Sequence, residues 1–424
     1  MAEQQPKTIL ILAYSISPTR GSEYAVGWNH VVHMAQHHRL IVLYGLAGDH
    51  MGDFEEMTGV DTSDFRYPVE FVPVMPSKAA RIANHLNRTS VLPYSFYVAY
   101  RYWHLEALKV ARGILNRKSV DIVHYLCPIG YREPGYLWKL DRPYIWGPIG
   151  AMDLRPLRAF FGLGLSEGLK TLARNTVNAL QFRVNPRLAR ALANTDILVT
   201  NTVENATIVR KVYGKESIIM PENGVTTPPT TTHTPPSDGP LRLIWAGTIE
   251  TRKALVILLR ALADVPDQWA LDVVGSGPLA EPMQALAREL GINDRIRWHG
   301  KIPRKDVFAI FAQAHLHVLT SQAEAHTTVL FEAMGMGVPT VAFDHCGMHD
   351  SICDKCGVRI MPGSVSEMTQ RLTAILSSYI ADRSDLAVLS QGALACAEQA
   401  SWQQRTLRWN AIYDRVIETW KRKP

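Results

Sequence analysis

The chain has 424 residues, 47% of them hydrophobic and 20% charged, with 28 glycines, 25 prolines and 5 cysteines. That composition supports about two folded domains and excludes collagenous, mucin-like and largely disordered chains, which lack the apolar residues to bury. The net charge is +6, and it is unevenly placed: residues 1–225 hold 25 Lys+Arg against 19 Asp+Glu, whereas residues 226–424 hold 20 against 20.

Taken in order, short β-branched runs alternate with amphipathic stretches. Strands are predicted at Thr8–Tyr14, Leu40–Gly45, Val69–Met75, Asp121–Cys127, Tyr144–Ile149 and Asp196–Thr200. Thr226 to Pro240 has no apolar residue to anchor it and reads as a linker. Six more strands follow at Leu241–Gly247, Trp269–Gly275, Ile296–His299, His315–Thr320, Pro339–Phe343 and Val358–Met361. Strands this apolar, separated by helices, imply parallel sheets covered on both faces. The expected architecture is α/β: a domain over 1–225, a linker over 226–240 and a second domain over 241–400. A last helix over 401–424 packs back on the first. Ligands of such sheets bind beyond the carboxyl ends of the strands. No apolar run approaches the roughly 18–20 residues that span a bilayer, and the N-terminus does not read as a signal peptide. Few cysteines in a long chain suggest a reduced, cytosolic setting.

The densest signal is Ser321-Gln-Ala-Glu-Ala-His-Thr-Thr-Val-Leu-Phe-Glu-Ala-Met-Gly-Met-Gly-Val-Pro-Thr340. A strand ends, a polar loop carries Glu324, and a helix starting near Thr327 carries Glu332. Unpaired N–H groups at a helix start suit a phosphate, and the hydroxyls of Thr327 and Thr328 add donors. Carboxylates on either side accept hydrogen bonds from sugar hydroxyls, so the pattern suits a nucleotide sugar. Read alone, it also fits an ordinary capping loop with a solvated glutamate.

In this segment and others, the sequence resembles the family-4 retaining glycosyltransferases (glycosyl transferases group 1). Glu324 and Glu332 are separated by seven residues and followed by Ala333-Met-Gly-Met-Gly-Val-Pro339, which fits the family hallmark. The resemblance extends to Ser17–Trp28, Pro221–Val225, Trp245–Ala254, Val274–Pro278 and the closing Ser401-Trp402 with Tyr413. It implies the GT-B fold, two doubly wound Rossmann-like domains facing a central cleft. It further implies transfer of a sugar from a nucleoside-diphosphate donor, UDP- or GDP-linked, to an acceptor hydroxyl with retention.

Residue by residue, the resemblance gives Lys253 and Arg252 to the donor diphosphate, Glu324 to the transferred sugar and Glu332 to the ribose. Backbone N–H groups near Thr327, Thr328 and Val329 would bind phosphate. Gly21 and Ser22 would approach the donor from the first domain, and Gly247 and Gly275 would line its binding loops. His124 would lie beside the reacting sugar, although a hydrogen-bonded core histidine is an equal reading. The family usually has Gly-Arg where this chain has Gly247-Thr248, and Gly-Phe-Gly where it has Ala325-His326-Thr327. The second change is expected to turn a side chain toward the donor. No cofactor or metal is required by these motifs. Other enzymes of the same fold, a nucleotide-sugar epimerase or a phosphorolytic enzyme, and a catalytically silent assembly protein stay open as alternatives.

Two basic clusters interleave with aromatic residues. Residues 71–120 hold eight basic side chains against Glu106, and residues 155–190 hold seven against Glu167. With the resemblance, they imply a lipid-linked or saccharide acceptor, as in bacterial-type exopolysaccharide, capsule or lipopolysaccharide assembly. The expected location is cytoplasmic, peripheral at the inner face of the cell membrane, on an anionic surface. A solvated helix face is the plain alternative, and no nucleic-acid module is recognisable. Cys353-Asp-Lys-Cys356, near His345, Cys346 and His349, is a single CxxC unit, so a packing role is expected over a metal site.

Overall fold

In a computed structural model of the protein, the described residues are 5–21, 23–45, 57, 59–89, 91–92, 95–225 and 233–421. They form two compact units. The first comprises residues 1–153, 180–222 and 402–424, and the second residues 154–179 and 223–401. The chain therefore passes between units four times.

The first unit is built on a seven-stranded sheet: β1 (Thr8–Ala13), β2 (Arg39–Gly45), β3 (Val69–Val74), β4 (Ile122–Cys127), β5 (Tyr144–Ile149), β6 (Ile197–Thr200) and β7 (Ile218–Ile219). Their order is β3-β2-β1-β4-β5-β6-β7, parallel throughout. Alternation along β1 splits it between two cores. Leu10, Leu12 and Tyr14 meet Tyr100, Trp103 and Ala107 of the helix Phe96–Leu115. Ile9, Ile11 and Ala13 meet Val31 and Met34 of Glu23–Met34, and Trp409, Ile412 and Tyr413 of the last helix, Trp402–Lys421. Both faces are thus buried, as a parallel sheet demands.

The second unit repeats the plan with β8 (Leu241–Ala246), β9 (Trp269–Val274), β10 (Ile296–Gly300), β11 (Leu316–Leu319), β12 (Thr340–Phe343) and β13 (Gly357–Ile360), ordered β10-β9-β8-β11-β12-β13. On β8, Leu241, Leu243 and Trp245 enter one core while Ile244 and Ala246 enter the other. The order reverses between β8 and β11, the point where such sheets open a crevice at their carboxyl ends.

Two expectations need correction. Residues 154–179 group with the second unit, because Ala159 lies in its core, Leu163 packs against that core, and Gly162 faces Val365. The second basic cluster is therefore divided: Arg155, Arg158, Lys170 and Arg174 belong to one unit, Arg183, Arg187 and Arg190 to the other. The expected linker falls partly on 226–232, outside the described residues. Its remainder is docked by hydrogen bonds instead of apolar anchors. His233 Nε2 donates to Ala314 O at 2.7 Å, and Thr234 N to Ala312 O at 3.0 Å. His315 Nε2 donates to Pro236 O at 2.8 Å. Among the described residues, no helix is long and apolar enough to cross a membrane.

Candidate active site

The chain leaves β8 through Gly247 and Thr248 and tightens into a single helical turn, Thr251–Lys253. It leaves β11 through Thr320 into the loop that carries Glu324. Three hydrogen bonds fasten the two exits together. Trp245 Nε1 donates to Thr320 Oγ1 at 3.0 Å, Thr320 Oγ1 donates to Lys253 O at 2.6 Å, and Gln322 N donates to Arg252 O at 2.7 Å.

That fastening brings Arg252, Lys253 and Glu324 into one cluster. Glu324 Oε1 pairs with both Lys253 Nζ and Arg252 Nη1, and Arg252 Nε also pairs with Glu250 at 2.8 Å. Lys253 is only 6% exposed. A buried ammonium is tolerated where a carboxylate partners it. Lys253 is thus not the solvated helix residue that a lone lysine often is.

The glycines have local causes. Gly247 has φ +155°, and the Lys253 side chain runs past it. A Cβ on Gly275 would collide with the Gly247 carbonyl oxygen, so the loops after β8 and β9 can approach only with glycine there. Gly247 N donates to Val274 O at 2.9 Å across that contact.

Glu324 is followed by the helix Thr328–Gly335, with Thr327 at its N-cap. The Thr327 side chain makes no capping bond there, and Thr328 and Val329 are half-buried. Four residues into this helix, Glu332 accepts from Arg304 Nε at 2.7 Å. Burial raises the Glu332 carboxyl above its usual value, with Arg304 opposing. Arg304 went unnoticed in the sequence because it begins a separate helix, Arg304–Gln313, 28 residues away. Thr248 is exposed. His326 is buried, 2% exposed, and its ring centroid lies 6.3 Å from that of Phe331. Its carbonyl accepts from Asn223 Nδ2 at 2.6 Å, and a Cβ on Gly347 would strike the neighbouring Ala325 oxygen.

In the first unit, Gly21 is exposed with nothing within 4 Å of where a Cβ would stand, and Ser22 lies outside the described residues. His124 is fully buried, with both ring nitrogens engaged. Nε2 donates to Gly147 O at 2.8 Å, which fixes the tautomer, so Nδ1 accepts from Tyr413 Oη at 2.9 Å. Tyr413 Oη in turn accepts from His30 Nε2 at 2.9 Å. Burial lowers His124 to about 4, partly offset by the Gly147 bond. The core reading of His124 is the one the structure supports, since no ring nitrogen is left for a ligand.

Residues 233–387 match the family model of glycosyl transferases group 1. A D-inositol 3-phosphate glycosyltransferase of Xylanimonas cellulosilytica is 26% identical over 256 residues, 55% of this chain and 60% of that protein. The chain thus spans less than two thirds of that relative. Among solved structures, a lipopolysaccharide outer core galactosyltransferase, WaaB, in its apo form superposes with TM-score 0.65 at 17% identity, over 96% of this chain and 99% of its own. Anabaena HepE, solved with UDP and glucose, gives TM-score 0.60 at 18% identity over 96% and 99%. With the motif spacing of Glu324 and Glu332 set on this framework, residues 233–387 carry the match to glycosyl transferases group 1, and the chain has the GT-B fold.

Proposed function

We propose that the protein is a retaining glycosyltransferase that moves a sugar from a nucleoside-diphosphate sugar to an acceptor hydroxyl. The observation that carries this reading is the Lys253–Arg252–Glu324 cluster at the carboxyl ends of β8 and β11. A diphosphate entering there competes with Glu324 for two cations and gains the N–H groups that open the helix Thr328–Gly335. Glu324, once released, accepts from hydroxyls of the transferred sugar, and Glu332 accepts from the ribose. The bond from the anomeric carbon to the phosphate oxygen breaks, and the acceptor oxygen bonds to the same face. The acceptor proton passes to the departing phosphate. Lys253, Arg252 and the helix start stabilise the charge that develops on it, with no divalent cation in the scheme. That HepE was solved with UDP and glucose supports a UDP-linked hexose as the donor class.

A thermal-shift panel of UDP- and GDP-sugars tests the donor reading. The matching donor at about 100 times its Kd adds about 2.7 kcal/mol of stability. No shift with any nucleotide diphosphate or sugar at saturating concentration would overturn it.

The acceptor is proposed to be a lipid-linked saccharide at an anionic membrane surface. WaaB, by its name, acts on lipopolysaccharide, and two surfaces of this chain support the idea. In the first unit, the helices Lys78–Arg88 and Phe96–Leu115 expose Ile82, Tyr97, Val98 and Tyr102 beside Arg81, Arg88 and Arg112. In the helix Leu165–Val184 the usual pattern is reversed. Thr171, Asn175 and Asn178 are buried, while Leu165, Leu169, Leu172 and Leu180 are exposed on one face. Arg187 does not contribute, because it is held bidentately by the buried Glu133. We expect flotation with anionic liposomes, weakened by salt, and little with neutral ones. Reversing Arg81, Arg88, Arg112 and Arg117 to Glu should release the protein and leave nucleotide binding unchanged. Equal recovery on both vesicle types would leave these faces merely solvated.

A further inference from the structure

Cys353-Asp-Lys-Cys356 forms the turn that leads into the edge strand β13. In the sequence it stands as a single CxxC unit without a partner. Folding supplies a third cysteine from 40 residues downstream, Cys396 in the helix Ser384–Gln399. Cys353 Sγ lies 3.7 Å from Cys356 Sγ and 3.6 Å from Cys396 Sγ, and all three sulfurs fall within 4.8 Å of one another. A disulfide would bring two of them to about 2.05 Å. Sulfurs around one tetrahedral zinc, each at about 2.3 Å from it, stand about 3.8 Å apart. The two closest separations, 3.6 and 3.7 Å, suit thiolates sharing one such ion.

The turn aims backbone donors at sulfur. Backbone N–H groups of Lys355 and Cys356 bond to Cys353 sulfur, and Cys353 N donates to Cys356 Sγ at 3.2 Å. The approach of the two segments is built in: a Cβ on Gly392 would collide with the Lys355 carbonyl oxygen, so glycine lets the helix press Cys396 onto the turn.

We propose that Cys353, Cys356 and Cys396 bind one zinc(II) ion through three thiolates, with the fourth position open to solvent on the exposed Cys353 side. Binding releases the protons of those thiols that are protonated beforehand. The ion would tie the turn before β13 to the helix Ser384–Gln399. That helix packs through Ala393 and Ala397 against Leu330, Phe331 and Met334 of the helix bearing Glu332. Its role is thus a clamp behind the candidate active site, separate from the chemistry there.

The full chain, purified under reduction and stripped by a chelator, is titrated with cobalt(II) and then zinc(II). The expected result is one equivalent of cobalt with a thiolate charge-transfer band, displaced by zinc, and a raised Tm. Zinc should also slow alkylation of Cys353 and Cys396. Cys353→Ser and Cys396→Ser should lose the band, whereas Cys127→Ser and Cys346→Ser should keep it. The wild-type titration decides the matter even if a variant misfolds. Reduced wild type that gives no cobalt–thiolate band, or a band that survives both Cys353→Ser and Cys396→Ser, would overturn the proposal. A protein that binds no zinc and simply forms a Cys353–Cys356 disulfide on standing in air would overturn it equally.

Discussion

Replacing Lys253 with Ala should weaken nucleoside-diphosphate binding by roughly 10- to 150-fold, the effect of losing a charge-assisted contact of about 1.5–3 kcal/mol. Transfer should fall by at least as much. The fold should survive, because Glu324 keeps Arg252 as its partner once the lysine is gone. Glu324 behaves differently. Deleting its carboxylate leaves Arg252 and Lys253 facing one another without their shared anion, and Lys253 is buried. Glu324→Ala should therefore lower stability as well as activity. Glu324→Gln keeps the shape and removes the competing charge. It should bind nucleoside diphosphate as tightly as wild type or more tightly, while transfer falls because the sugar loses its acceptor. Isothermal titration with the diphosphate, beside a transfer assay, separates the two effects. Wild-type affinity in Lys253→Ala, or equal loss of binding in Glu324→Gln, would mean that the diphosphate lies elsewhere.

What could be read ahead of the structure, and what could not, divides by the range of the contacts. All twelve expected strands are present with ends shifted by a residue or so, because each is an apolar run bounded by turn residues. Among the described residues, only the edge strand Ile218–Ile219 went unseen, since two residues show no alternation. Arg252, Lys253 and Glu324 were legible because each sits within a few residues of a strand end, where the motif lies. The Arg304–Glu332 pair was not, as its halves belong to different helices. Cys396 was hidden for the same reason, lying within a helix that otherwise looks ordinary. Residues 154–179 follow the second unit because Ala159 and Leu163 bury there, a choice that hydrophobicity alone does not announce.

The histidines of the first unit should make it the acid-labile half of the molecule. Burial is the leading cause at each: His124 is lowered to about 4, and His104 to about 3 with the Arg187 charge adding to the effect. His38 is lowered to about 4 with help from Lys7, and His30 falls well below its ordinary 6.5. The folded unit holds these rings neutral, and at two of them hydrogen bonds demand it, since His124 Nδ1 accepts from Tyr413 Oη and His38 Nδ1 from Lys7 N. The unfolded chain takes up each proton near pH 6.5; in the folded unit His124 and His38 wait until about 4 and His104 until about 3, and His30 is likewise held well below 6.5. Between those values unfolding binds protons, so the stability present above pH 6.5 is lost as pH falls. Each such proton costs about 1.4 kcal/mol per pH unit. Glu23 and Glu133, raised by burial, act in the opposite sense and return part of the loss at the acid end. In the second unit only His317 is lowered as far, to about 3, with smaller shifts at His233 and His315. Hydrogen exchange followed peptide by peptide from pH 7 to pH 5, corrected for intrinsic rates, should therefore show protection fading first in β1, β4 and the last helix. Protection in β8, β11 and β12 should persist to lower pH. Simultaneous loss in both units, or earlier loss in the second, would show that the buried imidazoles do not govern the acid limit.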